Sequence, residues 1–213
     1  MGRMVAIEGV DGAGKRTLTD ALCRALVGRG ASVGGFAFPR YDTDVHAELV
    51  RDALYGRLGD LIDSVHGMAL MYALDRRDAA AELRAALRSN DIVLVDRYVA
   101  SNAAYGAARL REEAGGEFVA WIRALEIERF RIPAPDHHLL LNVPDAVADE
   151  RVAHRERTET GRERDAFEAD AGLQTRTSEV YVQLARASWL SPWTVVDGTA
   201  PVGSDELAAR LLG

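Results

Sequence analysis

Gly9-Val10-Asp11-Gly12-Ala13-Gly14-Lys15 is the stretch on which the reading of this chain turns. It follows a short apolar run, Met4 to Glu8, and opens an amphipathic helical pattern from Arg16 to Val27. In that setting G-x-x-x-x-G-K has a physical meaning. Glycines let the backbone fold its N–H groups around a phosphate, the helix N-terminus adds positive potential, and the lysine bridges the outer phosphates. The competing reading is a plain glycine-rich turn between strand and helix. Composition favours the first, because 25 of the 26 basic residues are arginine and Lys15 is the one lysine. A compact ammonium on a flexible stem can follow a phosphate in a tight loop where a planar guanidinium would crowd the backbone.

The motif departs from its usual form at Arg16, which stands where a Ser or Thr hydroxyl ordinarily ligates magnesium; Thr17 comes one residue late. One residue turns a helical side chain by about 100°, so Thr17 is not expected to replace that ligand. The metal then leans on carboxylates, with Asp11 and Asp96 the candidates. Arg16 either approaches the nucleotide phosphates or is a surface arginine. Ile92-Val93-Leu94-Val95-Asp96-Arg97-Tyr98 reads as an apolar strand ending in an acid, placed either to hold Mg²⁺ or its water or merely to cap the strand. Arg97 beside it suggests a second anionic group near the same strand end.

Working outward, short apolar runs alternate with helical patterns along the whole chain. Strands are expected at Met4 to Glu8, Ser32 to Ala37, Ile92 to Asp96, His138 to Val143 and Thr194 to Val196. Helices are expected at about Arg16 to Val27, Val45 to Tyr55, Leu61 to Leu87, Gly116 to Arg129, Asp145 to His154, Asp165 to Ala187 and Asp205 to Leu212. The second half of Leu61 to Leu87 is Ala-rich and reads as part of one helix, as a separate segment or as an interface surface. The pattern predicts an α/β fold of P-loop NTPase type, with a doubly wound five-stranded parallel sheet flanked by helices. Residues 1–213 are expected to form one domain with a mobile lid at about 150–165. That lid, Glu150 to Asp165, carries five arginines and five acids around Thr158, Thr160 and Gly161, with almost nothing apolar to bury.

A formal charge of −7 over 213 residues argues against a nucleic-acid binder. No run of 18 apolar residues exists to span a membrane, and the opening residues lack a signal-peptide core, so a cytoplasmic protein is expected. Cys23, the single cysteine, can form neither an internal disulfide nor a thiolate cage and reads as a plain thiol. His46, His66, His137, His138 and His154 have no paired acid in sequence context.

Together, Glu8 to Lys15, Phe38-Pro39-Arg40, Asp75-Arg76, Asp96-Arg97-Tyr98-Val99-Ala100-Ser101-Asn102, the arginine-rich segment and Leu173-Gln174 through Tyr181 resemble the thymidylate kinase family, closest to its actinobacterial members. The resemblance implies a homodimeric nucleoside-monophosphate kinase that moves the γ-phosphoryl group of MgATP to dTMP for dTTP synthesis. It implies that Gly9, Gly12, Ala13, Gly14, Lys15, Arg16 and Thr17 hold ATP, with Arg151, Arg155 and Arg162 of the lid and, less firmly placed, Arg157 and Arg164. Arg40 and Arg97 are implied to hold the acceptor phosphate, a task suited to forked donors; an ordinary strand-end arginine is the other reading of Arg40. Arg76 and Asn102 are implied to meet the base edge. Tyr72, one helical turn before Arg76, either stacks on the base or belongs to the helix core. Phe38, Asp11, Tyr105, Asp165 and Phe167 complete the implied dTMP site, with Ser101 a further candidate, and Asp11, Asp96 and Glu168 the implied metal group. Asp11, Lys15, Arg97 and Arg155 are the implied catalytic set. Phe167 stands where relatives often carry Tyr, which leaves sugar contacts that depend on a hydroxyl open.

Two other readings compete. A GTP switch needs an N-K-x-D segment after a late strand, and Leu141-Asn142-Val143-Pro144-Asp145 lacks the lysine. A small kinase for another nucleoside or monophosphate is separated only by its acceptor.

Overall fold

Why the chain must close into one parallel sheet follows from the strand it starts with. β1 (Arg3–Glu8) is buried from Met4 to Glu8, and an apolar strand buried on both faces needs a paired neighbour on each edge. In a computed structural model, which describes residues 2–158, 166–200 and 203–213, those neighbours are β3 and β4. With β2 (Val33–Ala37), β3 (Ile92–Asp96), β4 (His137–Asn142) and β5 (Trp193–Asp197), the sheet runs β2-β3-β1-β4-β5, parallel at every pairing. The register sets Ile7 beside Asp96, Ala37 beside Asp96, and Glu8 beside Leu140, so the carboxyl ends of the central strands share one rim. The order reverses at β1, and the crevice beyond such a reversal is where open α/β sheets take ligands.

Parallel strands cannot be joined by tight turns, and the crossovers are helices. The helices among the described residues are α1 (Lys15–Gly28), α2 (Val45–Leu54), α3 (Val65–Ser89), α4 (Val99–Leu110), α5 (Glu117–Ile122), α6 (Asp145–Thr158), α7 (Ala166–Ala169), α8 (Ala171–Arg186) and, after the last strand, α9 (Ser204–Leu212). α1 packs on α9, while α3, α4, α5 and α8 form a second group around α4. No helix among the described residues is long and apolar enough to cross a membrane.

β2 and β5 are edge strands and only half-covered. Several expectations need correction. The segment 61–87 splits not in its Ala-rich half but at Ser64: a 3₁₀ turn (Gly59–Asp63) ends there, Ser64 caps the next helix by accepting from Gly67 N, and α3 then runs unbroken. The helix expected from Gly116 to Arg129 is α5 followed by a π-helical stretch, Arg123–Arg129. Asp170 divides the helix expected from Asp165 to Ala187, because its carboxylate accepts from Leu173 N at 2.8 Å and starts α8 afresh. The lid expected at 150–165 is helical as far as Thr158, since α6 extends a full turn past His154. α4 was not expected at all.

Candidate active site

The loop after β1 is shaped by backbone that only glycine adopts freely. Gly9, Gly12 and Gly14 have φ of 146°, 78° and 99°. A Cβ on Gly12 would lie 2.2 Å from the carbonyl oxygen of Ala148 in α6, so the loop is pressed against that helix. Gly14 caps α1 without a side-chain bond, and the first turn of α1 holds no acid. The orphan N–H groups of that turn are therefore open to an anion. Lys15 is buried and its Nζ donates to Val10 O at 2.9 Å. Burial and the neighbouring Arg97 charge lower it to about 8, against the pull of Asp11, Asp96 and Glu8.

Arg151 of α6 reaches the same loop from behind. Its guanidinium donates to Gly12 O (3.4 Å), Ala13 O (3.1 Å) and Gly198 O (2.9 Å), tying the loop's carbonyls to the turn after β5. Arg16 and Thr17 are both exposed on the first turn of α1.

Across the rim, Arg97 sits in the left-handed region at φ 62° and donates to Asp11 Oδ1 at 2.6 Å. Tyr105 OH donates to Asp11 Oδ2 at 2.9 Å. Burial would raise Asp11, but the Arg97 and Lys15 charges and these hydrogen bonds outweigh it and hold the carboxyl well below the usual range. Burial raises Tyr105 and the adjacent Asp11 charge raises it further, so it stays a neutral donor. Glu8 ends β1 fully buried; it accepts from Tyr98 N (3.0 Å), Ser101 Oγ (2.6 Å) and Tyr181 OH (3.1 Å), locking the start of α4 to β1 and α8. Burial raises Glu8 more than these bonds and Arg97 lower it. Asp96 Oδ1 is buried with no partner among the described residues, a hard oxygen left free at the end of β3.

A second set of polar groups lies further along the cleft. Arg40 donates through Nε to Asp75 Oδ1 at 2.7 Å and through Nη2 to Asp44 Oδ2 at 2.9 Å, which holds its side chain along α3. Arg76 is 2% exposed and forks onto Glu126, with Nε to Oε2 at 2.6 Å and Nη2 to Oε1 at 2.7 Å. Burial opposes its charge, but Glu126 more than restores it. Asn102 Nδ2 donates to Glu126 Oε1 (2.8 Å) and to Ala69 O (2.9 Å).

Some of these groups line one cleft. Asp11, Phe38, Tyr72, Arg76, Arg97, Ser101, Asn102, Tyr105 and Phe167 all line it. Tyr105 and Phe167 stack at 5.9 Å, and Arg109 lies 5.1 Å over the Phe167 ring. Arg40 does not line the cleft. Tyr41 and Leu54 do, and no motif pointed to them; Glu126, Asp44 and Asp75 were also missed as supports. Arg162, Arg164 and Asp165, and the side chains of Arg155 and Glu168, lie outside the described residues.

A family model described as thymidylate kinase matches residues 7–203. The chain is 48% identical to the thymidylate kinase of Mycobacterium tuberculosis (strain H37Rv) over 98% of this chain and 96% of that protein. It is 34% identical to the thymidylate kinase of Leifsonia xyli subsp. xyli, covering 99% and 92%, and 35% identical to that of Akkermansia muciniphila, covering 99% and 89%.

Proposed function

The chain belongs to the thymidylate kinase family, and from that premise we infer that it transfers the γ-phosphoryl group of ATP to dTMP, giving dTDP and ADP. One observation carries the placement of this chemistry. Arg97 and Asp11 are joined at 2.6 Å and both line the cleft, while Asp11 belongs to the loop whose amides await an anion. The donor and acceptor phosphates thus meet beside one guanidinium.

In this reading the loop amides and Lys15 hold the donor phosphates, and Arg97 and Arg40 hold the acceptor phosphate. Arg40 turns from its carboxylates to do so. Tyr72 and Phe38 contact the base faces, Arg76 and Asn102 its polar edge, and Tyr105 and Phe167 the sugar. Arg155 and Arg162 of a lid at about 150–165 close over the phosphates, with Asp165 beside the sugar. Arg151 departs from its expected place: bonded to three carbonyls, it braces the loop instead of reaching for phosphate. The acceptor oxygen is already ionised at neutral pH, so no general base is required, and rate comes from positioning and charge stabilisation.

Magnesium fits this donor set. Asp96 Oδ1 is an unpartnered carboxylate oxygen beside the phosphate loop, and Asp11 stays ionised there. Asp96 and Asp11, with Glu168, would hold the ion, which would neutralise phosphate charge. The protein is a single cytoplasmic domain acting as a homodimer.

The test is coupled ADP release with dTMP, dUMP, dCMP and dGMP as acceptors, alongside sedimentation to weigh the particle against twice 23.2 kDa. dUMP, lacking one methyl, should fall roughly 10- to 200-fold below dTMP in kcat/KM, and the purine should fall further. Preference for any other acceptor overturns the assignment.

A further inference from the structure

The buried carboxylate of Glu126 contributes no atom to the cleft, yet it is bonded to both side chains proposed to meet the base edge. Its effect on Asn102 can be worked out from hydrogen-bond chemistry. One terminal atom of the Asn102 amide lies 2.8 Å from Glu126 Oε1 and 2.9 Å from Ala69 O. Both neighbours are acceptors, and one is a carboxylate oxygen that is ion-paired with Arg76. An amide oxygen there would face two oxygens in a buried site. That atom must therefore be the NH₂ group, and both of its hydrogens are spent. What remains to face the cleft is Asn102 Oδ1, an acceptor with no partner among the described residues.

Arg76 is oriented by the same carboxylate. Its Nε and Nη2 edge is consumed by the fork, which leaves Nη1 as the donor turned away from Glu126. The cleft therefore offers one donor and one acceptor in a fixed order.

We propose that Glu126 is the positioning residue that sets the hydrogen-bond polarity of the base site, and that this polarity selects a 4-oxo pyrimidine against a 4-amino one. A thymine or uracil ring presents an N3–H donor to Asn102 Oδ1 and an O4 acceptor to Arg76. A cytosine ring presents an unprotonated N3 and a 4-amino group, so acceptor meets acceptor and donor meets donor. A site built to hydrogen-bond one pattern rejects its inverse far more strongly than a hydrophobic pocket rejects a missing methyl. The π-helical stretch Arg123–Arg129 delivers Glu126 to this point, from 50 residues beyond Arg76 and 24 beyond Asn102.

The inference rests on the dTMP kinase reading, and the experiment separates the two. The probe is 5-methyl-dCMP, which keeps the shape and methyl of dTMP and inverts the polarity of the edge. The wild-type protein should favour dTMP over 5-methyl-dCMP by roughly 10⁴-fold in kcat/KM. In Glu126→Gln the new amide can donate to Asn102 Oδ1 and release the Asn102 flip, so the ratio should fall at least about tenfold, with most of the change in KM. A purely structural loss would lower both acceptors together and leave the ratio unmoved.

If Glu126→Gln fails to fold because Arg76 is left unpaired, Glu126→Asp keeps a carboxylate for Arg76 but is one methylene too short to hold both Arg76 and Asn102. It carries the same expectation. A folded variant that keeps the wild-type ratio overturns the proposal. A wild-type protein that does not phosphorylate dTMP overturns the parent reading instead.

Discussion

Lys15 shows how one side chain links burial, charge and rate. Its ammonium sits among Arg97, Asp11, Asp96 and Glu8, and burial brings it to about 8, below the 10.5 of an exposed lysine. The folded protein thus binds fewer protons than the unfolded chain between those values. Lys15 burial costs stability at pH below about 8, and the cost is relieved as pH rises toward 10.5. Activity runs the other way, because only the charged form holds phosphate. kcat/KM for ATP should decline above pH 8, approaching about tenfold per pH unit, while kcat declines only at higher pH, where bound phosphate no longer keeps the proton in place. Initial rates from pH 6 to 10 test this, and a flat kcat/KM through that range sinks it. Lys15→Ala should lower kcat/KM by roughly 10² to 10³ or more with no loss of melting temperature, since the ammonium stabilises phosphate and not the core.

At the scale of elements, the phosphate loop and α6 are one unit. The Gly12 backbone sits so close to Ala148 that Gly12→Ala must move the helix, strain the loop at φ 78°, or both. A loss of about 1–3 kcal/mol is expected, read by urea unfolding, together with a raised KM for ATP. Unchanged stability would show that α6 does not bear on the loop. The same scale explains what could be read in advance. β1, the loop and α1 announced themselves because glycines, an apolar run and an amphipathic period coincide within 25 residues. α4 did not, because Ala103, Ala104, Ala107 and Ala108 lie buried along with Gly106 and Tyr105, and alanine and glycine bring little apolar bulk to mark a buried face in the sequence. Asp96 to Asn102 were legible as a motif while the helix they begin was not. Glu126, Asp44 and Tyr41 were invisible for another reason: each matters through a partner or cavity that only the folded chain assembles.

For the molecule as a whole, His138 ties stability to acid. It lies in β4 at zero exposure, stacked 4.2 Å from Trp193 and bonded to Ser191, with its other ring nitrogen unpartnered among the described residues. Burial and the nearby His137 lower it from 6.5 to about 3. The unfolded chain takes up that proton first, so stability present above pH 6.5 is lost as pH falls toward 3, at about 1.4 kcal/mol per unit for this group. Urea unfolding between pH 7 and 4 should show that slope in the wild type and a shallower one in His138→Phe, and equal slopes would remove His138 from the account. The solitary lysine has a practical side as well. Apart from the amino terminus, an acylating reagent selective for unprotonated amines finds one target in the entire sequence, and that target titrates near pH 8 inside the phosphate loop. Phosphate seated there would both cover the amine and keep it protonated, so the mass gained by the peptide that holds Lys15 counts empty donor sites, and the protein carries its own occupancy gauge without a dye or a tag.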